Sequence, residues 1–139
     1  MENNLSEKVT LTRYDLEEAK ACIAYYKFRA QKKGIAKNNL IKAYLLRTED
    51  IFEALGIVFQ QPPSMSYARV RVYLGMLQTT TDTDTVYKLF LVPVDSSGKD
   101  VILNGPITSG GPNVDYVFDF NTPCPNTCDK TSPLFLAGE

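Results

Sequence analysis

The residues best suited to chemistry in this chain are its thiols, because it contains no histidine at all. Cys124 and Cys128 lie four apart in the segment Phe118-Asp119-Phe120-Asn121-Thr122-Pro123-Cys124-Pro125-Asn126-Thr127-Cys128-Asp129. Two thiolates at that spacing can ligate a soft metal or cycle between dithiol and disulfide. A structural zinc site needs four ligands, and the third cysteine, Cys22, falls in a predicted helix. A complete all-thiolate site would therefore need two copies of the loop. The C-x-x-x-C spacing also differs from thioredoxin-like motifs. The plainer reading is a loop pinned by Pro123 and Pro125, with the cysteines packed as small hydrophobes. No cofactor is predicted, and zinc at Cys124 and Cys128 is a minor alternative. The missing histidine removes Ser-His-Asp and Cys-His catalysis, His-ligated zinc and imidazole acid–base work.

Charge offers a second chemistry. The net charge is −1, so no overall field points to nucleic acid or an anionic membrane. The stretch from Lys20 to Arg47 nevertheless carries eight basic residues with no Asp or Glu between them. Lys27, Arg29, Lys32, Lys33 and Lys37, extended by Arg69 and Arg71 from a later strand, are read as a candidate basic surface. Tyr25, Tyr26 and Phe28 are interleaved and suited to stacking on bases. The competing reading is a solvated helix face with its aromatics committed to packing. Asp82-Thr83-Asp84 lacks the other ligands of a calcium loop and reads as a polar hairpin tip. Gly105 to Gly111 lacks the Lys-Ser/Thr of a phosphate-binding loop. Asp15, Glu17, Glu18, Glu49, Asp50 and Glu53 are explained by helix starts and exposed faces.

These groups must be carried by elements that the sequence pattern indicates. The 139 residues, 44% hydrophobic and 22% charged, suit one globular α+β domain. Residues 1–11 are expected to be a flexible N-terminus and residues 12–139 the domain, with an irregular Pro- and Cys-containing tail over 121–139. A long helix is predicted over about 13–33, with Thr12 as N-cap, acidic residues in its first turn and Gly34 after its basic last turn. Leu16, Ala19, Ile23, Tyr26 and Ala30 form one apolar stripe. Tyr14, Ala21, Tyr25 and Phe28 form a second on nearly the opposite side, and it is assigned to a partner.

Residues 40–47 read as a strand, and Thr48 caps a short second helix ended by Gly56. Residues 68–77 alternate, with Val70, Val72, Leu74 and Met76 on one side and Arg69, Arg71 and Tyr73 on the other. A polar loop joins them to a second strand, 86–94, with Pro93 at an edge or strand end. The loop is too short for a crossover helix, so the two strands pair antiparallel. Short strands at 101–104 and 116–120 complete a small, mainly antiparallel sheet.

Several of these segments carry a resemblance. Arg71-x-Tyr73-x-Gly75, Gly98-x-Asp100, and an ending with Asp119-Phe120, Pro123-Cys124-Pro125, Cys128-Asp129 and Ser132-Pro133-Leu134 occur in this order. Over about residues 40–135 this resembles a family of small, uncharacterised bacterial proteins with an R-x-Y-x-G strand and a YDF-x-x-PCP-x-x-C-D-x-x-SPL ending. The chain has Phe118 where that pattern has its first tyrosine. The resemblance implies no activity.

The expected function is a non-enzymatic interaction or self-assembly protein whose partner is itself or another protein. The alternatives are a thiol-redox or metal protein using Cys124 and Cys128, and nucleic-acid binding through the basic 20–47 region. No secretory signal and no run of apolar residues long enough for a membrane span is read in the sequence, so a cytoplasmic location is expected.

Overall fold

Helix α1 spans Leu16–Lys32 and begins at Asp15, whose Oδ1 accepts from the backbone N–H groups of Glu17 and Glu18 at 2.9 and 3.1 Å. The predicted cap, Thr12, lies outside the described residues; this computed structural model describes residues 13–57, 66–78, 86–119 and 129–137. The helix starts late because Arg13–Asp15 is a strand, β1, paired with residues 116–118. Tertiary pairing overrides the helical tendency of Arg13 and Tyr14. The Arg13 guanidinium donates to the Pro106 carbonyl at 3.0 Å and lies 4.5 Å from the Tyr116 ring centroid. Both contacts are made from the strand. At the other end Gly34 takes the left-handed conformation expected of it, with φ +95°.

The remaining elements are β2 (Ala43–Arg47), α2 (Thr48–Ala54), β3 (Arg69–Leu77), β4 (Val86–Val94), β5 (Leu103–Pro106), β6 (Asn113–Asp119) and α3 (Pro133–Leu136). Thr48 is the first residue of α2 and not its cap. Its N–H and Oγ1 donate to the Ala68 and Tyr67 carbonyls, tying the helix start to the beginning of β3. The last strands are displaced from their expected positions. β5 runs two residues later because Val101 is occupied in pairing with Pro93, and β6 starts three residues earlier to pair with it. The tail contains the short helix α3, started by Ser132 and Pro133, so it is not irregular throughout. The N-terminus to residue 12, the hairpin tip at 79–85 and residues 120–128 lie outside the described residues.

The strand order is β1-β6-β4-β3-β2, with β5 also on β6, and every pairing is antiparallel. The fold is therefore α+β: helices beside an open antiparallel sheet. Helix α1 lies across β3 and β6 on one face. Its Ala19 and Cys22 meet Phe90, Val92 and Val117, with Tyr14, Leu16, Ile23 and Tyr73 around them. Gly75 sets the approach. A Cβ there would lie 2.8 Å from Phe90 Cε2 and 3.2 Å from Cys22 Cβ, so only glycine admits both neighbours.

Gly75 also fixes which face of β3 the helix covers. Arg71, Tyr73 and Gly75 lie beneath α1, and Val70, Val72, Leu74 and Met76 face the other way. Through the register, Tyr44, Val72, Leu91 and Phe118 form one cross-strand row on that opposite face. Leu46, Val70 and Pro93 form the next row, and the pairs Leu74–Leu89 and Met76–Tyr87 follow. No helix among the described residues is long and apolar enough to cross a membrane.

Candidate functional site

Three places in the described residues hold groups that strand pairing alone does not explain. The first is a polar cluster at one end of β3. Arg71 pairs with Asp100 and donates to the Gly98 carbonyl at 3.2 Å, and the Tyr73 hydroxyl donates to the same Asp100 carboxylate. The tight turn Asp95–Lys99 delivers Asp100. Asp95 Oδ1 accepts from the Ser97 N–H, the Ser97 hydroxyl and the Lys99 N–H, which holds its carboxyl below the usual range. Burial, then the bond to Asp100, raises the Tyr73 phenol above its ordinary value. The four motif residues Arg71, Tyr73, Gly98 and Asp100, separated in sequence, are thus one unit in space.

Beside this cluster lies a cavity of about 210 Å³ between α1 and the sheet, walled by Leu16, Ala19, Ile23, Phe90 and Val117. It is smaller than the roughly 300–1,000 Å³ typical of small-molecule sites. Asp100 and Tyr73 at its edge are already bonded to each other. On the other side of Arg71 a shallow recess of about 680 Å³ is lined by Lys37, Lys42 and Tyr73. Arg71 serves Asp100 there, which neutralises part of the recess.

The second place is a buried ionic group under α1. Lys88, 6% exposed, donates to Asp119 at 2.7 Å and lies 4.8 Å from the Tyr14 ring centroid. Among the described residues Asp119 Oδ1 has no hydrogen-bond partner. The Tyr14 hydroxyl is 3.9 Å from the Cys22 sulfur. Burial, followed by that contact, pushes the Tyr14 phenol up to about 12. The cluster is enclosed by packing: Tyr14 lies against Phe90 at 5.2 Å, and Cys22 belongs to the core.

The third place is the sheet face opposite α1. Tyr44, Leu46, Tyr87 and Leu89 are 51%, 40%, 56% and 40% exposed there. Aliphatic and aromatic side chains in register across neighbouring strands form a continuous apolar surface of the kind that marks interaction sites.

The predicted site residues are distributed among these places. Tyr14 leaves the proposed helical stripe, because it is a β1 residue whose ring packs into the core. Ala21, Tyr25 and Phe28 remain together on α1. Phe28 is 59% exposed and stacks on Tyr25 at 6.5 Å, and Arg29 donates to the Tyr25 hydroxyl at 3.1 Å. Within the basic surface, Lys32, Lys33 and Lys37 are exposed and Lys27 and Arg29 half-buried, whereas Arg69 and Arg71 belong to β3. Cys124 and Cys128 lie outside the described residues. Among the described residues no three His, Cys, Asp or Glu side chains are grouped as metal ligands.

Sequence reasoning missed the Lys88–Asp119 pair. A lysine at an alternating strand position looks solvent-facing until the face of its neighbours Phe90 and Val92 is known. It also missed Asp100 as the partner of Arg71, although the R-x-Y and G-x-D motifs already singled out both residues.

Comparison of the chain with protein-family models, with curated proteins and with solved structures finds no match.

Proposed function

We propose that this chain is a non-enzymatic interaction protein whose contact surface is the sheet face opposite α1. One observation carries the reading. Tyr44, Leu46, Tyr87 and Leu89 stand half-exposed on a face whose inner rows, Val70–Pro93 and Val72–Leu91, are apolar as well. Leaving such a face in water forgoes about 25 cal/mol for each Å² that a partner would cover. The α1 stripe offers two large side chains, Tyr25 and Phe28, and Arg29 already occupies the Tyr25 hydroxyl. The polar groups elsewhere support the same reading. Arg71, Tyr73 and Asp100 satisfy one another, and Lys88 and Asp119 are enclosed beneath α1.

A photo-crosslinking residue at position 87, in the cells that make the protein, tests the proposal. Adducts of discrete mass are expected, and Leu89→Lys should abolish them without altering the fold. Recovery of the bare chain alone would overturn it.

A further inference from the structure

Strand β2 ends the sheet on the β3 side, with no other strand beside it among the described residues. Its Tyr44, Leu45 and Leu46 are 51%, 48% and 40% exposed, so apolar side chains line both faces of an outer edge. In an antiparallel ladder the N–H and C=O of one residue point to the same side, alternating along the strand. The Lys42 carbonyl accepts from the Leu74 N–H at 3.1 Å, and the Thr48 N–H donates to the Ala68 carbonyl at 2.9 Å. Even-numbered positions of β2 therefore address β3. The N–H and C=O groups of Ala43, Leu45 and Arg47 point outward. An exposed apolar edge of this kind is a template for another strand.

The flanking charges select the orientation of that strand. Exposed Lys37 and Lys42 precede β2, and exposed Glu49 and Glu53 follow it. A parallel neighbour of identical sequence would set like charges together. An antiparallel one sets each basic flank beside an acidic flank. Arg47 does not disturb this pattern, because its guanidinium is held by Asp50 of its own chain at 2.9 and 2.7 Å.

We infer that a second copy of this chain pairs with β2 antiparallel about a twofold axis at Leu45, an inference that goes beyond the open-face reading above, because edge pairing enlarges that face without covering it. This register sets Ala43 opposite the partner's Arg47 and Leu45 opposite the partner's Leu45. All three outward-facing residues are then paired. On the open face Tyr44 meets the partner's Leu46, and the apolar rows of the two copies become one surface. A strand this short gives a small interface, and so a weak, concentration-dependent dimer.

Sedimentation of the full chain from micromolar to millimolar concentration tests the inference. The wild type is expected to dimerise. Leu45→Pro removes an outward N–H without touching the β3 ladder, and Leu45→Lys blunts the edge without constraining the backbone. Both should leave the protein monomeric, with its circular dichroism unchanged. If the proline variant unfolds, the lysine variant decides. Lys42→Glu or Glu49→Lys alone should weaken the dimer several-fold, and the two together should restore it, because the swap regenerates complementary flanks. A wild type that stays monomeric throughout would overturn the inference and leave the reading of the open face to its crosslinking test. A dimer that survives at position 45 but is lost in Leu89→Lys would overturn the edge pairing while upholding that reading.

Discussion

Replacing Lys88 by methionine should put a large stress on this fold. Lys88 and Asp119 have side chains 7% and 15% exposed, 2.7 Å apart, beneath helix α1. Methionine fills nearly the same volume and removes the charge. It leaves the Asp119 carboxylate without its ammonium in a place where Oδ1 already lacks a partner among the described residues. Breaking a buried pair from one side costs about 3–5 kcal/mol, because the remaining charge is neither solvated nor compensated. Against a total stability of about 5–15 kcal/mol this is a large fraction. With a urea slope of about 1–3 kcal/mol per molar, the unfolding midpoint should fall by roughly 2 M. The double variant Lys88→Met with Asp119→Leu replaces both charges by apolar groups and should recover most of the loss. Equilibrium urea unfolding of wild type, single and double variants checks this. A single-variant loss below about 1 kcal/mol would refute the argument that the pair is enclosed. So would a double variant no more stable than the single one.

Four further outcomes are expected. Gly75→Ala should cost about 1–3 kcal/mol in the same assay, because its Cβ would collide with the Phe90 ring and Cys22. Asp100→Ala should destabilise by about 1–3 kcal/mol by leaving a half-buried Arg71 unpaired, whereas Tyr73→Phe should cost about 1 kcal/mol. An ultraviolet alkaline titration should show one phenol ionising near pH 12, absent in Tyr14→Phe. Because folding raises that value above the ordinary one near 10, the associated stability is fully present below about pH 10 and is lost as pH rises through about 12. Carbon-detected NMR should find the Asp95 carboxyl titrating below the ordinary carboxylate range, since the Ser97 hydroxyl and the Lys99 and Ser97 amides hold its charged form. Its contribution to the β4–β5 turn is present above the ordinary range and lost as pH falls through the lowered value.

Much of this fold was legible from local pattern. Alternation placed β3 and β4, the short polar loop made them antiparallel, and Gly34 and Gly56 marked where α1 and α2 stop. The start of α1 was also written locally, in the D-x-x-E spacing of Asp15 and Glu18, but the longer helical reading absorbed it. Strand β1 was not legible. Three residues are held in a strand only because residues 116–118, distant in sequence, lie alongside. For the candidate surface, alternation separates Val70, Val72, Leu74 and Met76 from Arg71 and Tyr73 but cannot say which side a helix covers. That choice follows from the close approach of Cys22 to Gly75, a tertiary contact. The aliphatic side of β3 consequently became the open one, and the polar side became the floor of the core.

The position of β6 has a consequence for how the chain is made. It lies between β1 and β4, yet among the described residues it is the last strand in sequence order. Arg13–Asp15 and the buried side of α1 leave the ribosome about 100 residues before their partners on β6, which at ordinary translation rates is on the order of 5–20 s. Throughout that interval Tyr14 has no Val117 beside it, and over about its last quarter β4 has only its β3 side filled. The nascent protein therefore carries an unfinished β4 edge and an unpaired β1 segment until a single late strand joins them.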